Sequence, residues 1–586
     1  MDRVKRRFFC YDTAMNKEVE QSLIKAVNAV GIEATALKLE YPENHEHGDF
    51  SSNVAMANAK KLKMSPKALA DKIVAEFSKN MPESVASVEV AGPGFINLKI
   101  KDGVFTKKAV ETAVAGKKFD ANKADNSKQV MVEYTDPNTF KVFHIGHLMS
   151  NSIGESIARL TERSGAKVIR ICYPSDIGLH IAKSVWALQK HLAEMPKDDA
   201  PIAERTDFLG KMYVEGTRTY ESDPAVKDDI DALNKVLYER SSPTIDALYQ
   251  KGRKWSLDHF EQIYKILGTK FVDTICESEI APVGLAIVKA NVASGIFEDS
   301  DGAIVFKGEK YGLHTRVFVN SHGFPTYEAK DVGLNVTKFK KYPDAIKSVV
   351  ITASEQNAYF SVIKKVLSLV DEKNGSKTVH IGHGMMRFAQ GKMSSRTGNV
   401  ITAEALIADI KDMVKEKIAG RGLPPNEVEN IAEVVAIGAI KYTILRSSVG
   451  SDIIFDSTAS ISFEGDSGPY LQYSAVRAHS ILEKAQAEGI KMADAKSVLP
   501  DRAGLLERLI VRYPEITMRA CEDLAPQTVA SYLISLAGAF NGFYASQMIV
   551  DKNDPLSPYR VALTKAFLYT MTDGLEILGI KVPEKM

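Results

Sequence analysis

Cysteine is scarce in this sequence. The 586 residues include four cysteines, and their positions form no CxxC pair: Cys10, Cys172, Cys276 and Cys521. Zinc sites that can be recognised in a sequence contain closely spaced cysteines and histidines, and disulfide frameworks need many cysteines in a short chain. The sequence therefore predicts no zinc, no other protein-bound metal and no disulfides, and it indicates a reducing compartment, for which we predict the cytoplasm.

An excess of charge of either sign is also missing. Lys and Arg number 75 and Asp and Glu 74, so the formal net charge is +1. This balance gives no long-range field that would attract a polyanion, and any nucleic-acid binding must therefore come from local patches. The length of the chain predicts several domains.

Long apolar runs typical of targeting or membrane segments are not evident. The start, MDRVKRRFFCYD, is basic but is not followed by an apolar stretch, so no secretory signal is predicted. Residues 528–550 carry no charge, which by itself would suit a membrane span. Polar residues interrupt this stretch, however, and its large apolar residues recur at helical spacing, at Leu533, Leu536, Phe540 and Phe543. We predict a buried core helix and no membrane partner.

Changes in residue pattern divide the chain into four predicted regions. Residues 1–118 mix amphipathic helices with short strands and form a predicted α+β domain. Residues 127–400 alternate β-branched runs with helical patterns, which predicts a parallel α/β sheet, with a helical insertion at about 184–270. Beyond residue 400 we expect only helices, in a linking region at 401–460 and a terminal domain at 461–586.

Four β-branched runs supply the predicted parallel strands, namely QVMVEY (129–134), KVIRICY (167–173), SVVITAS (348–354) and KTVHIGH (377–383). Residues 303–328 are typical of an antiparallel hairpin inserted between them. In the N-terminal region, Gly92, Pro93 and Gly94 predict a tight turn between two strands.

The segment DPNTFKVFHIGHLMSNSIGESIARL (136–160) follows the first of these strands. Where a parallel strand leads into a helix, the free N–H groups and the positive dipole end form a site for phosphates. His144 and His147 can face the same phosphate there, and Gly146 lets a flat nucleotide base approach the backbone. Because short motifs recur by accident, two histidines capping an ordinary helix remain the alternative. HIGH indeed occurs again at 380–383, where we assign it to strand and loop structure.

A second segment, GKMSSRTGN (391–399), follows that second copy. Lys392 offers a point charge for phosphates beside Ser394 and Ser395, and the flanking glycines give the loop freedom to close. Alone, such a segment would more often be a solvated turn. The pair formed by HIGH at 144–147 and this KMS-like segment resembles the signature of class I aminoacyl-tRNA synthetases.

Within that class the chain resembles arginyl-tRNA synthetases along nearly its whole length. The matching segments are HGDFSSNVAMANAKKL (47–62), GPGFINLKI (92–100), VEYTDPNTFKVFHIGH (132–147), TYEAKDVG (326–333), EGDSGPYLQYSAVRAHSIL (464–482) and LEILGIKVPEKM (575–586). The resemblance implies a Rossmann-like parallel-sheet catalytic domain, an N-terminal tRNA-contacting domain and an all-α anticodon-binding domain. It further implies a ligase that activates L-arginine with ATP and Mg2+ and loads it onto tRNA(Arg), acting as a monomer.

Site residues follow from the same resemblance, position by position. The implied catalytic residues are Lys141, His144, His147 and Lys392, and the implied ATP-binding residues are His144, Gly146, His147, Lys392, Ser394 and Ser395. The implied arginine pocket contains Glu133, Asn138, Tyr327, Asp331 and Gln356. The implied tRNA-binding residues are Phe95, Asn97, Tyr470, Gln472, Tyr473 and Arg477. Carboxylates suit this pocket because a guanidinium is a planar fork of five donors.

Two positions depart from the family pattern. Tyr359 stands where the family commonly has histidine, and Ser395 replaces the second lysine of the class signature. Lys141 matches a lysine thought to compensate for that loss. Three alternatives stay open at this point, namely another class I synthetase (above all one specific for lysine), a nucleotidyltransferase with an HxGH motif, and an inactive paralogue that binds tRNA.

Overall fold

The computed structural model describes residues 14–37, 39–42, 45–116, 125–389, 401–420, 422–494 and 496–586. Its chain forms two compact units. The larger unit comprises Ala121–Val476, Ala520–Ile534 and Gly574–Met586, and the smaller comprises Met1–Asp120, Arg477–Arg519 and Ser535–Asp573.

The strands and helices follow one another along the chain with these bounds: α1 Ala14–Ala29, β1 Phe50–Ser52, α2 Val54–Asn58, α3 Pro66–Lys79, β2 Val85–Ala91, β3 Phe95–Ile100, α4 Asp102–Ala115, β4 Gln129–Glu133, α5 Ile145–Arg163, β5 Lys167–Cys172, α6 Leu179–Lys190, α7 Ile202–Ser222, α8 Pro224–Glu239, α9 Pro243–Leu267, β6 Asp273–Thr274, α10 Glu277–Ala290, β7 Glu298–Ser300, β8 Ala303–Phe306, β9 Arg316–Val319, α11 Tyr327–Lys341, β10 Ala345–Ala353, α12 Asn357–Val370, α13 Glu372–Gly375, β11 Thr378–His383, β12 Met386–Phe388, α14 Ala403–Ile418, α15 Pro425–Leu445, β13 Ile453–Phe455, α16 Ser457–Ser460, α17 Gly468–Ala487, α18 Leu505–Glu522, α19 Pro526–Ser546 and α20 Ser557–Ile577. Short 3-10 turns add His45–His47, Leu192–Glu194, Gly308–Tyr311 and Ser354–Gln356.

The centre of the larger unit is a parallel sheet in the order β11-β10-β4-β5-β6. The four β-branched runs form β4, β5, β10 and β11, as predicted, because strands covered on both faces are selected for continuous apolar character. The chain leaves β4 toward β5 on one side and later returns to β10 on the other. The strand order therefore reverses between β4 and β10, where open α/β sheets bind their ligands. Glu133 pairs with Val350 at this point, at the carboxyl end of β4.

Helices α6 to α9 form the predicted insertion between β5 and β6. They enclose a hydrophobic cluster of their own that includes Ile181, Leu209, Ile230 and Trp255. The antiparallel excursion is also present, as the three-stranded sheet β7-β8-β9. Both features interrupt the parallel sheet without changing its strand order.

The expectation that strands cease beyond residue 400 is wrong. Strand β13 pairs in parallel with β12, with Met386 opposite Ile453 and Phe388 opposite Phe455. Each of these strands has three residues, so neither contains enough alternation to be distinguished from a loop.

In the smaller unit, α1 to α4 pack with an antiparallel sheet in the order β1-β3-β2. The Gly92 to Gly94 turn joins β2 to β3 as predicted, and both glycines have positive φ, at 52° and 132°. The uncharged stretch lies mostly within α19, where Leu533, Leu536 and Phe540 are fully buried. Among the described residues, no helix combines the length and apolar character needed to cross a membrane.

Candidate active site

The loop that leaves β4 is held in an unusual backbone conformation. Thr135, Asp136 and Phe140 have positive φ, at 80°, 43° and 62°, which L-residues adopt only when their surroundings enforce it. Oδ1 of Asp136 accepts the backbone N–H of Tyr173 at 2.7 Å, and the N–H of Phe140 donates to Oγ of Ser256 at 2.9 Å. These bonds fasten the loop at both ends and position Asn138 and Lys141 beside the sheet.

His144 and His147 begin α5. His144 is the N-cap, with Nδ1 accepting the N–H of Gly146 at 3.1 Å, and its own N–H donates to Nδ1 of His147 at 3.3 Å. The two rings stack with centroids 3.7 Å apart. A Cβ at residue 146 would lie 2.9 Å from the His144 ring, so glycine here makes room for this stack.

The hydrogen bonds also determine which ring nitrogen carries the proton. A neutral imidazole has one donor and one acceptor, and Nδ1 is the acceptor in both residues. Burial and the nearby Lys141 charge lower the pKa of His144, and burial together with His144 and Lys141 lowers the pKa of His147 further. Both rings are therefore neutral near pH 7 and present Nε2–H donors.

His180, which the sequence reading missed, lies in the same cationic surroundings. Burial lowers its pKa to about 3, and Lys141, Lys330 and Lys183 add to that lowering. Lys141 itself lies over the ring of Tyr213, 4.6 Å from its centroid. Lysines and neutral histidines thus form one wall of the site.

The second signature segment, including Lys392, Ser394 and Ser395, lies outside the described residues. The structure does describe residues 401–420, and these form hydrogen bonds with the first motif. The N–H of Ile145 donates to the carbonyl of Ile401 at 3.2 Å, and the N–H of Ala403 donates to the carbonyl of Phe143 at 2.9 Å. The fold therefore brings residues 401–403 to the start of α5.

An acidic wall adjoins these groups, and of its predicted members Glu133 is buried and Asp331 is half-buried. The ammonium of Lys338 forms an ion pair with the Glu133 carboxylate and also donates to Oγ of Ser348 at 3.1 Å. Oδ2 of Asp331 accepts the hydroxyl of Tyr359 at 2.6 Å. Burial raises the pKa of Asp331 to about 7, and the nearby Glu133 and Glu277 carboxylates contribute to the increase.

Two further carboxylates belong to this wall and were missed in the sequence. Glu277, the first residue of α10, is paired with Lys330 at 2.5 Å, and Asp176 is paired with Arg253 at 2.7 Å. Both acids are less than 5% exposed. No local motif marked them, since their neighbours are distant in sequence; the adjacent pair Ser175 and Asp176 after β5 was the one available hint.

The remaining predicted pocket residues lie at the edge of this region. Tyr327, the first residue of α11, is 53% exposed, and Gln356 is exposed at the N-cap of α12. Asn138 is half-buried and forms an isolated backbone bridge with Ser175. The role of these three positions in arginine binding stays a prediction.

The predicted tRNA-contacting positions differ in exposure. Phe95 is 37% exposed, whereas Asn97 is 5% exposed and accepts the Ser51 hydroxyl at 2.8 Å. Tyr470 and Tyr473 are half-buried on α17. Later on that helix Arg477 donates to Oδ1 of Asn541 and lies over the ring of Tyr544, 5.0 Å from its centroid.

Gln472 requires a correction. Its side chain is fully buried, and its amide donates to the carbonyls of Val434 and Lys581 at 3.2 and 2.7 Å. A side chain used in this way joins elements of the larger unit and does not present itself to a tRNA. Within the described part of the chain, no group of His, Cys, Asp and Glu side chains is arranged to hold a metal ion.

Comparison with known families gives matches along the chain. Residues 109–457 match the family "tRNA synthetases class I (R), catalytic domain". Residues 13–100 match "Arginyl tRNA synthetase N terminal domain", and residues 471–586 match "DALR anticodon binding domain".

Individual proteins give the same result. The arginine–tRNA ligase of Clostridium perfringens is 30% identical over 551 residues, which cover 94% of this chain and 96% of that protein. The arginine–tRNA ligase of Clostridium beijerinckii is 29% identical over 566 residues, covering 96% and 98%. The solved arginyl-tRNA synthetase of Thermus thermophilus superposes with a TM-score of 0.79 at 22% identity, covering 97% of this chain and 100% of that one, and so shares its fold.

Proposed function

This chain belongs to the class I arginyl-tRNA synthetase family, and from that premise we propose how its residues ligate L-arginine to tRNA(Arg). The reaction has two steps. The carboxylate of arginine attacks the α-phosphate of ATP in line and releases diphosphate, which leaves arginyl-adenylate. The terminal adenosine of tRNA then attacks the arginyl carbonyl through its 2′-OH and releases AMP.

The acidic wall is the proposed arginine site. Five buried or half-buried carboxylates occur there, at Glu133, Asp136, Asp176, Glu277 and Asp331. The ion pairs of the described residues join Glu133, Asp176 and Glu277 to cations. Among the described residues, Asp136 and Asp331 accept hydrogen bonds from neutral donors, so a bound guanidinium and α-amino group can supply the charge that these two carboxyls do not receive from an ion pair.

Asp331 is the observation that carries this assignment. It is a half-buried carboxyl whose pKa burial and neighbouring acids raise to about 7. A planar guanidinium that donates two N–H groups to it restores the ionised form and forms the strong bidentate pair. Glu133, Glu277, Asn138 and Gln356 complete the proposed pocket, with Tyr327 alongside the aliphatic stem.

The cationic wall is the proposed ATP site. Lys141 contributes a full charge, and the Nε2–H groups of His144 and His147 donate to phosphate oxygens as negative charge shifts during the transfer. We propose that Lys392, Ser394 and Ser395 approach the same phosphates. Mg2+ enters with ATP as part of the substrate and neutralises the departing diphosphate.

We also propose a role for each region of the chain. Residues 1–118 and 461–586 contact tRNA, through Phe95 and Asn97 in the first and through Tyr470, Tyr473 and Arg477 in the second. Residues 127–400 catalyse both steps and residues 401–460 link the domains. We propose a monomer that works in the cytoplasm. It needs no editing domain, because a substrate without a guanidinium leaves buried carboxylates unpaired.

ATP–diphosphate exchange and tRNA charging with each standard amino acid test this function. With tRNA present, we expect arginine to be the one standard amino acid that supports activity. Lysine is the critical control because its ammonium also suits an acidic pocket. Equal rates with lysine would contradict the arginine pocket. If none of the amino acids supported exchange, the protein would be an inactive paralogue.

A further inference from the structure

Tyr173 is the first residue after β5 and its side chain is 7% exposed. Its backbone N–H donates to Asp136 at 2.7 Å, which holds the residue against the strained loop. Its phenolic oxygen is buried and has no hydrogen-bond partner within the described ranges of the chain. Buried hydroxyls nearly always have a partner, so this one calls for a physical explanation.

Tyr173 has both apolar neighbours and nearby carboxylates. The residue belongs to a hydrophobic cluster of the sheet with Met131, Ile280 and Leu334. Burial raises its pKa well above the usual value, and the charges of four carboxylates raise it further: Glu277, Asp331, Glu133 and Asp176. The hydroxyl therefore lies within the electrostatic reach of the whole acidic wall and yet bonds to none of its members.

Such a position suits one kind of missing partner. Beside a wall of carboxylates, three of which are paired with cations, a ligand group has to be cationic and rich in N–H donors. A guanidinium has five N–H groups, and a bidentate bond to Asp331 uses two of them. The phenolic oxygen is a neutral acceptor, which can take a further N–H without adding another negative charge to the wall.

We propose that Tyr173 is a recognition residue for arginine, whose phenolic oxygen accepts a hydrogen bond from the guanidinium of the bound amino acid. This inference rests on the proposed function and adds a contact that no sequence motif marked. It also accounts for the missing partner in the free protein, since the partner arrives with the substrate. Tyr173 holds substrate and takes no part in proton transfer.

The test is the Tyr173→Phe variant of the full chain. With tRNA present, we expect the KM for arginine in ATP–diphosphate exchange to rise about tenfold while the KM for ATP is unchanged, because one hydrogen bond between the guanidinium and a neutral acceptor is lost from the arginine site alone. Without arginine, the Tm of the variant should equal or exceed that of the wild type, since the lost hydroxyl had no partner. The rise in Tm caused by arginine should be smaller.

Tyr249→Phe is the matched control. Tyr249 is also buried, at 1% exposure, but its hydroxyl donates to Oδ2 of Asp176 at 3.1 Å. This control should lower the Tm, which shows what loss of a partnered hydroxyl does in the same unit.

Three results decide the matter. An unchanged arginine KM in Tyr173→Phe overturns the inference, and so does a Tm loss as large as that of Tyr249→Phe, which would show that the hydroxyl has a structural partner. If the wild type itself shows no arginine-dependent exchange with tRNA present, the proposed function fails and the inference fails with it. The wild-type assay therefore separates the two failures.

Discussion

The hydroxyl of Tyr359 donates a hydrogen bond to Oδ2 of Asp331 at 2.6 Å, across the interval between α12 and α11. Tyr359 occupies the position where the family commonly has histidine, and this bond is what the tyrosine supplies there. A hydroxyl leaves the carboxylate without a counter-charge, whereas a protonated histidine would neutralise it. Asp331 therefore remains available to a cationic substrate.

Replacing Asp331 with asparagine should damage arginine use and spare ATP. Loss of a buried charged partner costs about 2–5 kcal/mol, so kcat/KM for arginine should fall by roughly thirtyfold or more. ATP–diphosphate exchange at varied arginine and varied ATP measures the two separately. Unchanged arginine KM and kcat would contradict the pocket assignment.

Arginine use should depend on pH near neutrality. The pKa of Asp331 is raised to about 7, and a guanidinium binds its ionised form, so the arginine KM should increase as pH falls through 7 and level off above it. Below that point the expected increase is about tenfold per pH unit. The bond from Tyr359 lowers this pKa, so Tyr359→Phe should move the midpoint upward. An arginine KM independent of pH between 6 and 8 would count against this assignment, once the KM for ATP is measured alongside.

The Glu133–Lys338 pair should be important for stability. Both side chains are at most 5% exposed, and Lys338→Met leaves a buried carboxylate without its cation. Breaking a buried pair typically costs about 3–5 kcal/mol. Urea unfolding should show that loss in Lys338→Met and a smaller loss in the double variant Glu133→Gln, Lys338→Met. If the double variant were no more stable than the single one, the charge would not be the cause.

Arg477→Ala should weaken tRNA binding while the fold is retained. Arginine and aromatic side chains commonly hold unstacked RNA bases, and Arg477 lies over the Tyr544 ring. Filter binding of tRNA measures the affinity, and thermal unfolding provides the control. Wild-type affinity in a variant of normal stability would remove Arg477 from the interface.

Activation of arginine should be slow until tRNA binds. Ser395 replaces the second lysine of the class signature, so the segment 391–399 has less charge with which to hold the triphosphate. Bound tRNA can favour the productive arrangement through a preference of a few kcal/mol. ATP–diphosphate exchange with and without tRNA is the measurement. Equal rates would show that Arg396 or Lys141 already compensates for the missing lysine.

Much of the fold is determined by patterns of short range. The β-branched runs predicted β4, β5, β10 and β11, and the alternation of strands with helices predicted the parallel sheet. The second HIGH copy lies in β11, because Val379 and Ile381 suit a strand and no helical pattern follows. Strands β12 and β13 were missed because a three-residue strand has no periodicity and depends on its partner.

The acidic wall shows the limit of such patterns. Glu133 and Asp331 were identified because they lie within family segments, but Glu277, Asp176 and Tyr173 carry no motif. Their significance comes from the carboxylates gathered around the carboxyl ends of β4 and β5.

By itself, the sequence determined the family, the strands of the sheet and the histidine pair at the start of α5, because these depend on neighbours within a few residues. Only the tertiary structure decided that Lys338 neutralises Glu133, 205 positions away. It likewise decided that the Gln472 amide donates a hydrogen bond inside the protein, to the carbonyl of Lys581. It also decided that Asp331 accepts a hydrogen bond from a hydroxyl, and that the Tyr173 hydroxyl has no hydrogen-bond partner among the described residues. The reason is physical: a buried group's charge and hydrogen bonds are set by the atoms that exclude water from it, and those atoms come from distant parts of the chain.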